Sequence, residues 1–374
     1  APLVAVDRPP VDLRELGRGD GPRTVVSPFV GLRSLLGQRS DQVVFTVEAD
    51  EPAYWRLTAL EKFDEGRHIW VSSGSYSAVR ERLPDGGASR VPGAVLRQRV
   101  EVRGLGGLWL PGAYVPNRIE ADRPVSYDQA SASIIRRDED DGDGLTYVLE
   151  STLPDFGVLG RGVQPRGDHA AGVSDVHLQV PDLGIEATDV LAAATSGETE
   201  DHARLLALQD WFRSRFAYDE SVDYTTESDP LAAFLAQRRG FCQQFSSAFA
   251  LMARALGYPS RVAVGFTPGD ADGKGKEPGT TRFTVRGRHA HAWPEVHLAG
   301  IGWVPFEPTP QRGDPQGVEH TGVAPAQAAP PPDQATTTTT AGDDERPATT
   351  AARTPGTSLP DRAAPGRDAA YVKT

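Results

Sequence analysis

The sequence is poor in the residues that cross-link a chain or carry it through a membrane. It has one cysteine in 374 residues, which excludes an internal disulfide. It has no run of about 18 apolar residues, so no segment predicts a membrane-spanning helix. Positive charge is also scarce, because 39 basic residues face 51 acidic ones and the net charge is −12. This balance argues against nucleic acid or an anionic membrane surface as the main partner.

The chain has no initiating methionine either. It begins at Ala1, and its one methionine is Met252. We therefore expect a processed form or a region taken from a longer protein. The length exceeds one average domain, and composition and pattern predict four regions: a flexible lead-in over 1–30, a β-rich domain over 31–172, a core of helices and strands over 173–311 and a tail over 312–374.

The fold class predicted for these regions is α+β. Residues 31–172 alternate short Val-, Leu-, Tyr- and Trp-rich segments with Gly and Pro turns, a pattern typical of an all-β sandwich-like domain. In the core, helical patterns come first and strands follow, which predicts helices packed on an antiparallel sheet. The Ala/Pro/Thr-rich tail has no apolar periodicity and predicts a disordered stalk.

Three helices are predicted in the core. Thr199 is a candidate cap for the first, whose buried stripe would be Leu205, Leu208, Phe212 and Phe216. A second is expected over Pro230–Gln237. The third would begin at Cys242 and present Phe245, Phe249, Met252, Ala253 and Leu256 on one face before Gly257 ends it.

The single cysteine would lie in the first turn of the third helix. Free N–H groups and the helix dipole favour a thiolate there, and the thiolate is the nucleophilic form. The alternative is that Cys242 is a small buried hydrophobic residue, which is common for a free cysteine.

Partners for such a nucleophile follow about fifty residues later. Residues 288–310 predict two strands joined by a turn at Ala299–Gly302, with cross-strand pairs whose numbers sum to about 598–600. His291 would then lie opposite or nearly opposite Glu307. A His and a carboxylate on neighbouring strands, facing a cysteine, form a nucleophile, base and orienter set.

The hairpin alone leaves two choices open. His289 shares the predicted face of His291, and Glu295 on that face competes with Glu307. His289 is expected to be a solvent-exposed residue at the strand end, and His297 to lie nearer the turn. The histidines also suggest a zinc site, but there is one cysteine and no His-Glu-x-x-His motif, so we expect no metal.

Other ligand motifs are weak. The acidic stretch 138–144 has spacing that resembles a calcium loop, but it begins with the wrong residue and lacks flanking helices, which favours a hairpin turn. No phosphate-binding Gly-rich motif is present, so we expect no nucleotide and no cofactor.

Four motifs together resemble the bacterial transglutaminase-like superfamily. They are Gly-Phe-Cys-Gln-Gln-Phe at 240–245, Arg-Val-Ala-Val-Gly-Phe at 261–266, His-Ala-Trp-Pro-Glu-Val at 291–296 and Gly-Trp-Val-Pro-Phe-Glu-Pro-Thr-Pro at 302–310. The resemblance covers roughly residues 175–310. It implies a papain-like core with a Cys-His-Asp triad. Upstream, residues 48–60 and 108–112 resemble the extracytoplasmic part of a membrane-anchored branch of that family.

The resemblance selects among the candidates. The His-Ala-Trp context selects His291 over His289, and Glu307 stands where the family usually has Asp. Cys242 would attack a glutamine carboxamide or peptide carbonyl to form a thioester, His291 would carry the proton, and Glu307 would orient the imidazole. The substrate would be a protein or peptide outside the membrane, and membrane helices would flank this region. A thiol peptidase or amidase, or a non-catalytic binding module, are the alternatives.

Four further residues are expected at the substrate cleft. Trp293 and Trp303 share the predicted face of His291 and would wall a cleft that excludes water. Gln243 and Gln244 follow the nucleophile, and either could add a side-chain donor to the Cys242 backbone N–H in an oxyanion hole.

Overall fold

The computed structural model describes residues 28–37, 40–85, 89–137 and 142–327. Most of the predicted lead-in, part of the acidic stretch (138–141) and the tail from 328 onward lie outside these residues. The helices are α1 (Pro28–Leu36), α2 (Gly157–Gly160), α3 (Gly184–Ala194), α4 (Asp201–Arg215), α5 (Pro230–Gln237), α6 (Cys242–Ala255) and α7 (Val318–Thr321). The strands are β1 (Val43–Ala49), β2 (Trp55–Leu60), β3 (Lys62–Asp64), β4 (Ile69–Val71), β5 (Ser77–Val79), β6 (Gly93–Val102), β7 (Trp109–Leu110), β8 (Gly112–Ala113), β9 (Pro116–Ala121), β10 (Val125–Asp128), β11 (Ser133–Arg136), β12 (Thr146–Pro154), β13 (Ala217–Tyr218), β14 (Arg239–Gly240), β15 (Ser260–Phe266), β16 (Asp270–Lys274), β17 (Thr281–Arg286), β18 (Ala290–Leu298) and β19 (Gly302–Pro305).

The sheet that supports the predicted site is antiparallel, with strand order β19-β18-β15-β2-β8. Helix α6 packs against β18 and β15. The hairpin of β18 and β19 pairs Glu295 with Pro305 and Leu298 with Gly302, so the predicted register is confirmed. The turn between them needs Gly300, whose φ of 77° lies in the left-handed region that favours glycine.

The predicted boundary at 172/173 does not divide the sheets. Strand β2, from the β-rich region, lies in the middle of the sheet just described, between β15 and β8. A six-stranded sheet of order β16-β17-β1-β6-β12-β9 likewise joins strands from both regions. Pairing between strands some two hundred residues apart leaves no compositional signal, which is why the sequence suggested two separate bodies. The α+β class, with a β-rich N-terminal region and a core of helices packed on an antiparallel sheet, is confirmed.

The predicted core helices are present, with one difference at a cap. Helix α4 begins at Asp201 with Glu200 at its N-cap, so Thr199 does not cap it. Its buried residues include Leu205, Leu208 and Phe212, as the pattern predicted. Helix α5 is capped by Asp229, whose carboxylate accepts a hydrogen bond of 2.9 Å from the Ala232 N–H.

The disordered tail was predicted to begin at 312, and this is wrong for residues 312–327. Arg312 and His320 are buried, and Gly313 forms a β-bridge with Ala326. A short 3-10 helix at Pro315–Gly317 leads into α7, which packs against α2. Composition did not predict this order because the stretch packs on the existing hydrophobic core and does not form a core of its own.

None of the helices within the described ranges is long and apolar enough to cross a membrane.

Candidate active site

Cys242 is the first residue of α6, and the residues before it fix its place. Phe241, the N-cap, is extended, and its N–H donates to Oε1 of the Gln244 side chain at 3.1 Å. Gly240 pairs with Tyr218 in a short parallel ladder, and its carbonyl accepts from Asp219 N–H at 2.7 Å. The nucleophile candidate is therefore held at a helix N-terminus, as predicted, where its own N–H has no intrahelical partner.

His291 and Glu307 meet as the hairpin register predicted. The Nε2 atom of His291 lies 2.7 Å from Oε2 of Glu307, and both side chains are buried. Glu307 also accepts from Tyr54 Oη at 2.8 Å and from Thr309 N–H at 3.0 Å. Its backbone N–H donates to Oε1 of Gln209 at 3.0 Å. Three contacts to the carboxylate and one to the backbone thus fix Glu307 beside the imidazole.

The protonation of this pair follows from its contacts. Burial raises the pKa of Glu307, but the neighbouring His291 and the hydrogen bonds from His291, Tyr54 and Thr309 outweigh it, and the net pKa lies below its ordinary value. Glu307 is then a carboxylate, so Nε2 of His291 carries the hydrogen that it accepts. The other nitrogen, Nδ1, is buried and has no hydrogen-bond partner within the described part of the chain. It is the nitrogen left to act as a base.

Cys242 lies against the strand that carries His291. Its sulfur is within hydrogen-bonding reach of the Ala292 N–H, the residue after His291. The side chain is fully buried, and this burial raises the pKa of the Cys242 thiol to about 12, although Arg312 and the Ala292 N–H act to lower it. The expected bias toward a thiolate at the helix N-terminus is therefore overcome by desolvation, and the thiol is neutral at pH 7 in this conformation.

Arg312 is a part of the site that the sequence did not indicate. It is buried, it lies over the Tyr218 ring at 4.7 Å, and its Nη2 donates to Tyr218 Oη at 3.2 Å. No carboxylate among the described residues forms an ion pair with it. Its loop is held by Arg213, whose Nη1 donates to the carbonyls of Glu307, Thr309 and Arg312. The sequence signal for Arg312 was its position, two residues after the Thr-Pro of the fourth motif. This signal was missed because the composition of the following residues is that of a tail.

We expect Arg312→Gln to slow alkylation of Cys242 by iodoacetamide about tenfold at any pH below the thiol pKa. The reason is that removal of a nearby positive charge disfavours the thiolate and raises the thiol pKa further. The measurement is the alkylation rate against pH, with Arg312→Lys retaining most of the wild-type rate and Tyr218→Phe reporting the loss of the hydrogen bond to Arg312 alone. An unchanged rate in Arg312→Gln would contradict this role.

Glu295, the competing carboxylate, faces other partners. Its Oε1 lies 3.2 Å from Nε of Arg56, and its Oε2 lies 2.6 Å from Nε of Arg261. All three side chains are buried. The structure thus places Glu307, and not Glu295, beside His291.

The other histidines lie outside the Cys242–His291 pair. His289 was expected to be exposed, and this is wrong: it is buried in a 3-10 helix, and its Nδ1 accepts from the Arg286 N–H at 3.0 Å. The Nδ1 of His297 lies 2.7 Å from the His169 carbonyl oxygen. The described residues hold no group of three or more His, Cys, Asp or Glu side chains arranged for a metal ion.

The four predicted cleft residues have different surroundings. Trp293 stacks on His291 at 6.0 Å between centroids, and Gln243 and Gln244 border a cavity of about 160 Å³. The ring of Trp303 packs against the guanidinium of Arg261 at 4.0 Å and the ring of His297 at 5.3 Å. Trp303 pairs with His297, as the predicted register requires, and its role as a wall of the cleft stays a prediction.

Comparison with known proteins agrees with this geometry. Residues 188–308 match the transglutaminase-like superfamily, and residues 2–157 match the TgpA N-terminal domain. The chain has a transglutaminase-like core. The sequence is 27% identical over 285 residues to a protein-glutamine gamma-glutamyltransferase of Pseudomonas aeruginosa, covering 73% of this chain and 38% of that protein. It is 34% identical over 144 residues to the uncharacterized protein YebA of Bacillus subtilis, covering 36% of this chain and 19% of that protein.

Solved structures show the same fold around the transglutaminase-like core. Two structures of the periplasmic domain of TgpA from Pseudomonas aeruginosa superimpose with TM-scores of 0.54 and 0.55, at 22% and 23% identity. They cover 76% and 74% of this chain, and the match takes in 95% and 90% of theirs. The chain spans less than two fifths of the length of the two curated relatives, so it corresponds to one part of each.

Proposed function

We propose that this chain carries out cysteine-dependent acyl transfer on a glutamine carboxamide of a protein or peptide. The observation that supports it best is the buried His291–Glu307 pair, whose free Nδ1 lies on the strand that packs against Cys242. The similarity of this chain to a protein-glutamine gamma-glutamyltransferase supports glutamine as the acyl donor.

The chemistry proceeds in two halves. Because the thiol starts neutral, Nδ1 of His291 takes its proton as the sulfur attacks, and the carboxylate of Glu307 stabilises the imidazolium. The new S–C bond gives a tetrahedral oxyanion, for which the Cys242 backbone N–H is the available donor. Collapse breaks the C–N bond, and His291 protonates the departing ammonia. A primary amine then attacks the thioester, His291 takes a proton from that amine, and the thiol is restored as the new amide forms.

Location and partners belong to the same proposal. The two superimposed structures are of a periplasmic domain, which supports a place outside the cytoplasm and an exported protein or peptide as substrate. The net charge of −12 does not favour nucleic acid. Membrane anchoring would come from parts of a longer protein.

The test is incubation with a glutamine-containing peptide library and a tagged primary amine, wild type beside Cys242→Ala. We expect the tag on glutamine in the wild type and at least about a 10⁴-fold lower rate in the variant. Mass spectrometry separates the alternatives, since a one-dalton gain without the tag indicates deamidation and chain cleavage indicates a peptidase. If the wild type gives none of these three products, the proposal is contradicted and the non-catalytic binding module is the remaining alternative.

A further inference from the structure

The candidate site is closed in this structure. Cys242 and His291 are 0% exposed, and Glu307 is 2% exposed. A protein substrate has to bring a carbonyl to the sulfur of Cys242. Some part of the chain must therefore move before the proposed reaction starts.

Helix α1 lies where that movement is needed. Its Leu32 and Leu36 are buried, and it packs against the 3-10 helix Gly287–His289 and against β18, which carries His291. On its other side, the guanidinium of Arg33 lies 5.9 Å from the ring centre of Phe241, the residue before Cys242. The helix thus bridges the strand of the base and the helix of the nucleophile.

Two cavities flank this helix. One, of about 440 Å³, is bordered by Arg33, Leu36, Glu220 and Phe241 among others. The second, of about 160 Å³, continues past Arg33 and Phe241 to Gln243. Arg33 and Phe241 border both spaces, so the two cavities meet at α1, beside the residue that precedes Cys242.

The described side chains of α1 hold it in place by an ion pair, a hydrogen bond and apolar packing. Arg33 pairs with Asp223 at 3.1 Å and donates to the Val222 carbonyl at 2.8 Å. Both side chains of the ion pair are largely solvated, at 43% and 53% exposed, and such pairs stabilise weakly. A helix of nine residues is also marginal by itself. Among the described side chains, this ion pair, the two buried leucines and the partly buried Leu35 keep the helix in position.

We propose that α1 is an autoinhibitory cover, which occupies the middle of the substrate cleft and leaves it when a substrate peptide binds. The proposal rests on the proposed function for its substrate. Departure of α1 also admits water to Cys242. That removes part of the desolvation that keeps the thiol neutral, so opening the cleft and activating the nucleophile are one event.

The test is the alkylation rate of Cys242 with iodoacetamide at pH 8, which requires no acyl transfer and is therefore independent of the substrate question. Arg33→Gln and Asp223→Asn should each accelerate it about threefold. The double variant Leu32→Ser, Leu36→Ser should increase the alkylation rate about tenfold or more, because it removes two buried apolar side chains that hold α1 in place. Near-UV circular dichroism checks that each variant keeps its tertiary packing.

Two controls sharpen the result. Arg282→Gln removes an ion pair of similar length and exposure, to Asp272 at 3.0 Å on the β16–β17 hairpin, and should leave the rate unchanged. The charge swap Arg33→Glu with Asp223→Arg should return the rate to within about twofold of wild type. A folded leucine double variant alkylated at the wild-type rate overturns the proposal. So does a wild-type thiol that already reacts as fast as it does in urea.

Discussion

Replacing Glu307 by Gln is expected to lower kcat for acyl transfer by about 10³- to 10⁴-fold with the fold intact. The reason lies in the hydrogen bonds that the side chain at position 307 makes. Thr309 N–H is a fixed donor to Oε1, whereas the Tyr54 hydroxyl that donates to Oε2 can turn to accept, so the amide oxygen of Gln settles at Oε1 and its NH₂ takes the place of Oε2. That NH₂ donates to Nε2 of His291 and moves the ring hydrogen to Nδ1, where a base for Cys242 is needed. The measurement is kcat for tagged-amine incorporation, with near-UV circular dichroism as the check on folding.

Two further variants make this result specific. Glu307→Asp restores the residue usual in the family but shortens the side chain by one methylene, so it should lose about tenfold, because Tyr54 and Thr309 are placed for the longer side chain. Tyr54→Phe removes one hydrogen bond from the carboxylate and should lose less than Glu307→Gln. Activity of Glu307→Gln above one tenth of wild type would show that Glu307 does not set the tautomer of His291.

The pairing of His291 and Glu307 was predictable because its determinants are local. A Gly-containing turn at 299–302 fixes the register of one hairpin, and that register brings residues 291 and 307 together. The helix of Cys242 was predictable for a similar reason, since its apolar spacing and Gly257 define both ends. Such signals lie within about twenty residues of the groups they position.

Tyr54 and Arg312 could not be placed in this way. Tyr54 reaches Glu307 across 253 positions because β2 inserts beside β15, and no local pattern reports that pairing. Arg312 begins a stretch whose composition is that of a tail, and packing on the core decides its structure. The pKa of Cys242 was misjudged for the same reason, because its burial comes from tertiary packing that the apolar spacing of α6 does not report.

Gly265→Ala is expected to destabilise the protein by about 3 kcal/mol. Gly265 pairs with His291 on one side and with Arg56 on the other. A Cβ at this position would lie 2.1 Å from the carbonyl oxygen of Trp55 and 2.8 Å from the Cα of Arg56. These are backbone atoms in the middle of a sheet, so the strain is relieved only by separating β15 from β2. The measurement is the urea midpoint at constant m value.

The same change should also reduce activity, because β2 follows Tyr54 directly and β15 supports the strand of His291. Gly66→Ala is the matched control: that glycine is exposed, and its added Cβ would meet only the Asp64 carboxylate at 3.5 Å, so we expect a change within about 0.5 kcal/mol. If Gly265→Ala were as stable as Gly66→Ala, the close approach of β2 to β15 would be wrong. Glycine is thus required in the Arg-Val-Ala-Val-Gly-Phe motif because there is no space for a side chain between β15 and β2. Its replacement should lower activity because it would displace both Tyr54 and His291.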